Sequence, residues 1–193
     1  MDLILASTSP YRRALLERLG LPFRCRAPGV DEDQFKAVGL PPRELADRLA
    51  IAKADAVARL EPDPRSIVIG SDQLVAFEGR VLGKPGSVER AVEQLLSLAG
   101  REHELITAMA VIQGTNVVQH TDVARLRLRP LSRAEIERYI LADRPIDCAG
   151  SYKLEARGVA LFDRIVSDDH SAITGLPLIA LTTILRDLGV SIP

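Results

Sequence analysis

Residues 66–73, Ser-Ile-Val-Ile-Gly-Ser-Asp-Gln, constrain the fold more than any other stretch of this chain. Ser66-Ile67-Val68-Ile69 is a short β-branched run of the kind found in a sheet buried on both faces, and Gly70-Ser71 predicts a sharp backbone turn after it. Asp72 then falls beyond the carboxyl end of a buried strand, where open α/β folds bind their ligands. Gly-Ser-Asp is also ordinary turn chemistry, so this stretch alone leaves Asp72 either a site carboxylate or a turn residue.

The 193 residues suit one domain, spanning 1–193, with two lobes and a sizeable core. Charge is balanced, 25 Lys+Arg against 26 Asp+Glu, so no global field attracts nucleic acid and a polyanionic substrate needs a local basic cluster. Cys25 and Cys148 form no C-x-x-C pair and are too few for a disulfide framework; they are expected to be buried small hydrophobes in a reducing compartment. Met1-Asp2-Leu3-Ile4 carries no basic leader region and no apolar run is long enough to cross a bilayer, so a cytoplasmic location is expected.

Leu3-Ile4-Leu5-Ala6 reads as a buried first strand. Ser9 is a natural N-cap and Pro10 a natural first residue for a helix that closes at Gly20. Strand, hydroxyl-rich turn and helix start follow one another directly, an arrangement that favours phosphate. Arg12 and Arg13, of the wrong sign for that end of the helix dipole, suit a nearby anion, or are simply an exposed helix face. Phe23 to Val30 is expected to be a second strand, and Asp31-Glu32-Asp33 a solvated loop unless one acid faces Asp72, since paired carboxylates can hold a divalent cation. Leu45, Leu49, Ala52, Ala56 and Leu60 form an apolar helical stripe. Lys53 lies close to it, placed either to reach a site or to snorkel to solvent.

Leu74–Phe77 and Arg80–Leu82 predict a hairpin across Glu78-Gly79, and Gly83-Lys84-Pro85 holds a lysine between two backbone-restricting residues. A helix from Ser87 to Leu98 precedes a long antiparallel pair, 103–112 and 116–128. Arg125, Arg127 and Arg129 alternate on one face there without interleaved aromatics, a solvated face rather than a nucleic-acid platform. Ser132-Arg133-Ala134-Glu135 is a capping box, Val159–Phe162 a further strand, and the last helix begins at Gly175-Leu176-Pro177 with Ile179, Leu181, Ile184, Leu185 and Leu188 as its core face. The sum is an α/β protein, a mixed twisted sheet with flanking helices and two lobes around a central cleft. Ser7, Arg12, Glu32, Lys53, Asp72 and Lys84 lie at loop ends. Three cations, two acids and a hydroxyl are what nucleoside triphosphate cleavage requires: charge neutralisation, a metal or water activation, and donors.

L-A-S-T-S-P-Y-R-R, V-D-E, I-A-K-A, G-S-D-Q, G-K-P, H-x-x-x-T, D-x-A-G-S-Y and G-L-P-L occur in this order from residue 3 to nearly the end. In this the chain resembles the Maf family of nucleotide pyrophosphatases, whose fold is Maf/ITPase-like. The resemblance implies hydrolysis between the α- and β-phosphates of a nucleoside triphosphate with a divalent cation, Mg2+ or Mn2+, and a homodimer. Asp72 matches the family's catalytic acid, with Glu32 expected to share the cation; Ser7, Arg12, Lys53 and Lys84 match its substrate-binding residues.

Tyr11, Gln73 and Glu155 stand at the positions that distinguish branches, where members acting on dTTP and UTP carry Arg, Thr and Gln. The chain is similar instead to the YceF-like branch, 7-methyl-GTP pyrophosphatases, although that branch often has Trp where Tyr11 stands. N7-methylated guanine is cationic, so an aromatic ring attracts it, for roughly 0.5–2 kcal/mol. A carboxylate such as Glu155 accepts its N1–H and amino donors together, and Gln73 adds amide hydrogen bonds. Two other readings stay open: a pyrophosphatase for dTTP, UTP or other modified nucleotides, and a nucleotide-binding regulator of cell division. A haloacid-dehalogenase-type phosphatase is disfavoured, because no D-x-D pair follows from Asp72.

Overall fold

The structure is a computed structural model that describes residues 2–192. Seven strands are hydrogen-bonded in the order β2-β1-β3-β5-β6-β7, with β4 beside β3: β1 Leu3–Leu5, β2 Arg24–Cys25, β3 Ile67–Phe77, β4 Arg80–Leu82, β5 Glu102–Gln113, β6 Asn116–Leu128 and β7 Phe162–Val166. Parallel pairing joins β1 to β2 and β3, and antiparallel pairing joins β3 to β4 and β6 to β7, so the sheet is mixed as expected. The chain divides into two compact units.

The first unit comprises Met1–Gln73, Thr107–Asp122 and Asp169–Pro193. Its helices are α1 Pro10–Glu17, α2 Glu32–Ala37, α3 Pro42–Ala58, α6 His170–Ile173 and α7 Leu178–Asp187. Leu3, Leu5, Ile67, Ile69, Met109 and Val111 form one sheet face that packs on Leu15 and Leu16 of α1 and Leu181 and Leu185 of α7. The other face of β3 meets α3.

That contact explains Gly70. The predicted turn there does not form; β3 runs straight through for 11 residues and places Asp72 inside a strand rather than in a loop. Gly70 is needed because α3 lies so close that a Cβ would fall 2.4 Å from the Ala50 carbonyl oxygen and 2.5 Å from the Ala54 nitrogen. Missing volume, not backbone freedom, is what this glycine contributes.

The second unit comprises Leu74–Ile106 and Val123–Asp168, with α4 Val88–Leu98 packed on α5 Arg133–Asp143. Glu78 and Gly79 both have positive φ, 51° and 74°, which makes the predicted β3–β4 hairpin turn. Ser87 caps α4, and Ser132 and Glu135 form the predicted capping box of α5. His103, Tyr152 and Phe162 form a buried aromatic cluster with centroids 5.0–6.0 Å apart.

Elsewhere local expectation yields to tertiary context. The strand expected over Phe23 to Val30 shrinks to Arg24–Cys25, the extent of its pairing with Ile4 and Leu5. The acid run is not a loop: Asp31 caps α2, accepting the Asp33 backbone N–H, and Glu32 begins the helix. Residues Arg157–Leu161 form a 3-10 turn, and the strand expected at Val159 begins only at Phe162, where pairing with Leu128 becomes available. Ile179 is 65% exposed rather than part of the α7 core face, which Leu178, Leu181, Ile184 and Leu185 supply. Cys25 lies exposed on its two-residue edge strand, not buried. Arg125, Arg127 and Arg129 are exposed, as the alternation implied.

Burial pushes the His103 imidazole down to about 4. Its Nε2 lies 2.9 Å from the Tyr152 hydroxyl, and Nδ1 has no partner among the described residues. Between about pH 4 and the ordinary value near 6.5 the unfolded chain holds more protons than the folded one, so stability is full above that window and falls as pH drops through it. His103→Gln removes this linkage. The stability difference between wild type and variant, from urea denaturation, should be smaller at pH 4.5 than at pH 7 by about 2–3 kcal/mol.

Candidate active site

Strand β1 ends by handing its ladder to a hydroxyl turn. The Ala6 N–H donates to the Ile69 carbonyl at 2.8 Å, and the buried Ser7 Oγ then accepts the Ser9 N–H at 3.1 Å. Ser9 caps α1 by accepting the Arg12 N–H, with Pro10 at the first helical position. Tyr11 is 45% exposed in that first turn. Arg13 points away, paired with Glu17 at 3.0 Å, so of the two arginines singled out only Arg12 turns inward.

The pleat of β3 sorts the remaining groups. Successive side chains of a strand point to opposite faces, and here Asp72 faces α3 while Ser71 and Gln73 face the segment 169–175. On the α3 side, Lys53 is 7% exposed and Asp72 4%; the ammonium does not snorkel. Lys53 Nζ lies 2.6 Å from Asp72 Oδ1 and 2.7 Å from Glu32 Oε1, bridging two carboxylates that the sequence leaves 40 positions apart (72 − 32). Thus Glu32, Lys53 and Asp72 come together as one ion triad.

The two acids respond differently to the shared lysine. Burial raises the Asp72 carboxyl above its ordinary value, and the charges of Lys53 and Arg12 only partly oppose this. Burial also acts on Glu32 but is weaker at its half-exposed site, so hydrogen bonding and charge from Lys53 leave its pKa lowered. Burial lowers the Arg12 pKa against the opposing charges of Asp72 and Glu32, and a guanidinium remains charged at any physiological pH. Asp72 Oδ2 is buried with no hydrogen-bond partner among the described residues.

On the opposite face of β3, carbonyl oxygens act as a template. Arg12 Nε and Ser71 Oγ both donate to the Gly175 carbonyl, each at 2.9 Å. Gly175 has φ +114°, a region that glycine alone tolerates well, and a Cβ there would sit 3.4 Å from Arg12 Nε. Gln73 Nε2 donates to Thr107 Oγ1 and the carbonyls of Ala172 and Ile173 at 2.9–3.1 Å. Two carbonyl acceptors require that this atom be the amide nitrogen, so Gln73 spends its donors on the protein and can offer a ligand only its carbonyl oxygen.

Asp169 anchors the template, accepting the Ser171 N–H through Oδ1 at 2.9 Å and the Ile179 N–H through Oδ2 at 2.8 Å. Ser71, Thr107 and Gly175 lie inside the motifs G-S-D-Q, H-x-x-x-T and G-L-P-L without a role assigned from sequence, and Asp169 and Ser171 lie outside every motif. The D-x-S cap is the local signal for Asp169 and Ser171, and nothing in sequence ties Gly175 to Arg12.

Lys84 and Glu155 belong to the second unit. Lys84 is exposed in a segment held on either side by Gln94 Nε2 on the Gly83 carbonyl at 3.2 Å and the Gly86 N–H on the Ile146 carbonyl at 2.9 Å. Glu155 is exposed in the turn after Lys153.

A divalent metal suits this chemistry. Among the described residues no group of three or more His, Cys, Asp or Glu is arranged to hold an ion. Two carboxylates with one buried orphan oxygen, Asp72 Oδ2, match the way Mg2+ is held by one or two acids together with substrate phosphates.

Residues 2–188 match the family described as Maf-like protein. A 7-methyl-GTP pyrophosphatase of Bdellovibrio bacteriovorus is 50% identical over 189 residues, covering 98% of each chain. A protein of the same name from Xanthomonas axonopodis pv. citri is 47% identical over 191 residues, covering 99% of this chain and 98% of that one. The solved structure of a nucleoside-triphosphatase, or dITP/XTP pyrophosphatase, of Mycobacterium abscessus superposes with a TM-score of 0.42 at 14% identity, over 68% of this chain and 76% of that one.

Lys53→Met leaves Asp72 buried beside no ammonium. Unfolding in urea at pH 7 should show a loss of about 3–5 kcal/mol, the usual cost of removing one partner of a buried pair. Carbon-detected NMR titration should place the Asp72 carboxyl of the variant higher than in the wild type.

Proposed function

Since this chain belongs to the Maf-like proteins, we propose that it hydrolyses 7-methyl-GTP to 7-methyl-GMP and diphosphate, clearing a modified nucleotide from the cytoplasmic pool. One observation carries this reading: a buried carboxylate, Asp72, holds Lys53 with one oxygen and leaves the other without a partner. Relatives called 7-methyl-GTP pyrophosphatases, near 50% identity over almost the whole chain, support the choice of base.

Water attacks the α-phosphorus, the bond from that phosphorus to the bridging oxygen breaks, and diphosphate leaves. Asp72 Oδ2 takes the proton of the attacking water as general base, or acts on that water through a metal that Asp72 and Glu32 would hold. Its raised pKa makes it a better base than an ordinary aspartate, while Lys53 and Arg12 favour the ionised form that the reaction requires. Arg12, pinned by the Gly175 carbonyl through Nε, directs its remaining N–H groups to phosphate oxygens. Ser7 and the turn into α1 supply further donors, and Lys84 offsets phosphate charge.

With Glu32 and Asp72 ionised, the cluster of Arg12, Lys53, Glu32 and Asp72 is electrically neutral. It therefore does not by itself balance a triphosphate. Glu32 and Asp72 would hold Mg2+ or Mn2+, which would supply that charge and polarise the phosphate oxygens. Tyr11 stacks on the cationic base and Glu155 accepts the guanine N1–H and amino donors. Gln73 Oε1 is a further acceptor, a donor-seeking complement that uracil and thymine meet less well.

The protein is taken to act as a homodimer and to engage neither nucleic acid nor membrane. Among the described residues no helix is long and apolar enough to cross a bilayer.

Diphosphate release from 7-methyl-GTP, GTP, UTP and dTTP, with and without Mg2+ or Mn2+, tests the proposal. The highest kcat/KM is expected for 7-methyl-GTP with metal; preferential turnover of UTP or dTTP would replace the substrate assignment, and nucleotide binding without release would favour a regulatory role at cell division. Asp72→Asn should cut kcat roughly 100- to 10,000-fold in a folded protein. In the wild type, kcat/KM should fall as pH drops through the Asp72 pKa, at a pH above that of an ordinary aspartate.

A further inference from the structure

The base-reading role of Glu155 raises a physical difficulty. Glu155 is exposed, in a turn between Lys153 and Ala156 closed by the Ala156 N–H on the Lys153 carbonyl at 3.1 Å. A flexible carboxylate on a surface turn loses entropy when it binds and discriminates poorly between bases. The turn here is nonetheless gripped at both shoulders by one helix. The Lys153 N–H donates to the Tyr139 hydroxyl at 2.9 Å, and the Arg157 N–H donates to Asp143 Oδ2 at 3.0 Å. The Arg157 guanidinium adds Asp143 Oδ1 and the Ala142 carbonyl, both at 3.3 Å.

The spacing matches. Tyr139 and Asp143 stand four residues apart on α5, adjacent on one helix face, and the N–H groups they receive come from residues four apart across the turn. Gly158 closes the far side: a Cβ there would lie 2.3 Å from the Lys153 carbonyl oxygen, so the chain doubles back tightly beneath the turn. Both anchors are shielded, Tyr139 at 7% exposure and the Asp143 side chain at 7%.

The position of Asp143 is itself informative. It ends α5, where a carboxylate faces the negative end of the helix dipole and is unfavourable in isolation. Its two hydrogen bonds to Arg157 account for an acid there. None of the motifs that carry the family resemblance includes Tyr139 or Asp143.

We infer that Tyr139 and Asp143 are positioning residues for base selection, a rigid two-point mount on α5 that presents Glu155 in one orientation. This rests on the reading of Glu155 as the guanine-edge acceptor. The mount acts on binding of the base and not on the attack at phosphorus, so its loss appears in KM.

Steady-state kinetics of the full-length protein with Mg2+ separate the possibilities, using Tyr139→Phe, Asp143→Ala, Asp143→Asn, Glu155→Gln and the double variant Asp143→Ala/Glu155→Gln. The expected result is a KM for 7-methyl-GTP raised about 10-fold in Asp143→Ala with kcat within about 2-fold. Asp143→Asn, whose amide oxygen still accepts the Arg157 N–H, should recover most of that loss. The double variant should be no worse than Glu155→Gln, because a mount has no effect once its cargo is removed.

Additive losses, or a fall in kcat at unchanged KM, would overturn the inference. If Glu155→Gln alone leaves KM unchanged, the base reading fails and the mount with it; if only the α5 variants leave KM unchanged, the base reading stands and the mount falls. Amide exchange by NMR gives a readout independent of activity. Protection of the Lys153 amide should drop in Tyr139→Phe and of the Arg157 amide in Asp143→Ala, with the α5 amides unchanged, and undiminished protection would also refute the inference.

Discussion

A lysine ammonium buried between two carboxylates is the interaction on which the first unit depends. Taking a charge out of water costs several kcal/mol, and Lys53 recovers that cost only by lying 2.6 Å from Asp72 and 2.7 Å from Glu32. The contact requires α3 to approach β3 closely, and the close approach requires the missing Cβ of Gly70. It also requires α2 to begin at Glu32, which the Asp31 cap arranges. Packing, capping and charge pairing therefore converge on one geometry, and altering any of them disturbs the other two.

The pleat of β3 converts that geometry into a division of labour. Asp72 points toward α3, into a desolvated place that raises its basicity, while Ser71 and Gln73 point to the opposite face and grip the carbonyls of Ala172, Ile173 and Gly175. The same carbonyl of Gly175 that receives Ser71 also receives Arg12. A strand thus holds a buried carboxylate on one side and, through a shared acceptor, orients a cation from the other. Had β3 turned at Gly70, neither alternation nor the shared acceptor would exist.

Much of the fold was legible locally. Ser9-Pro10 starting α1, Ser87 and Ser132 capping α4 and α5, and the Glu78-Gly79 hairpin all follow from short-range chemistry that does not depend on what lies across the sheet. The misreadings share a cause. Gly70 looked like a turn because a glycine in sequence does not reveal whether it supplies positive φ or empty space, and only the neighbouring helix decides. The strand at Arg24–Cys25 is short because its partner β1 is short. Ile179 fits the α7 stripe by residue type but falls outside it by angle, and is exposed.

Residue types and their order were sufficient to identify the α/β class, the family and the candidate groups Ser7, Arg12, Glu32, Lys53, Asp72 and Lys84, because caps, periodicity and motif order are properties of neighbouring positions along the chain. Tertiary structure alone decided that Lys53 is buried between Glu32 and Asp72, that Gln73 has no donor left to give, and that the Gly175 carbonyl holds Arg12 from 163 residues away. Desolvation and hydrogen-bond partnership depend on distances through space, and a sequence records only distances along the chain.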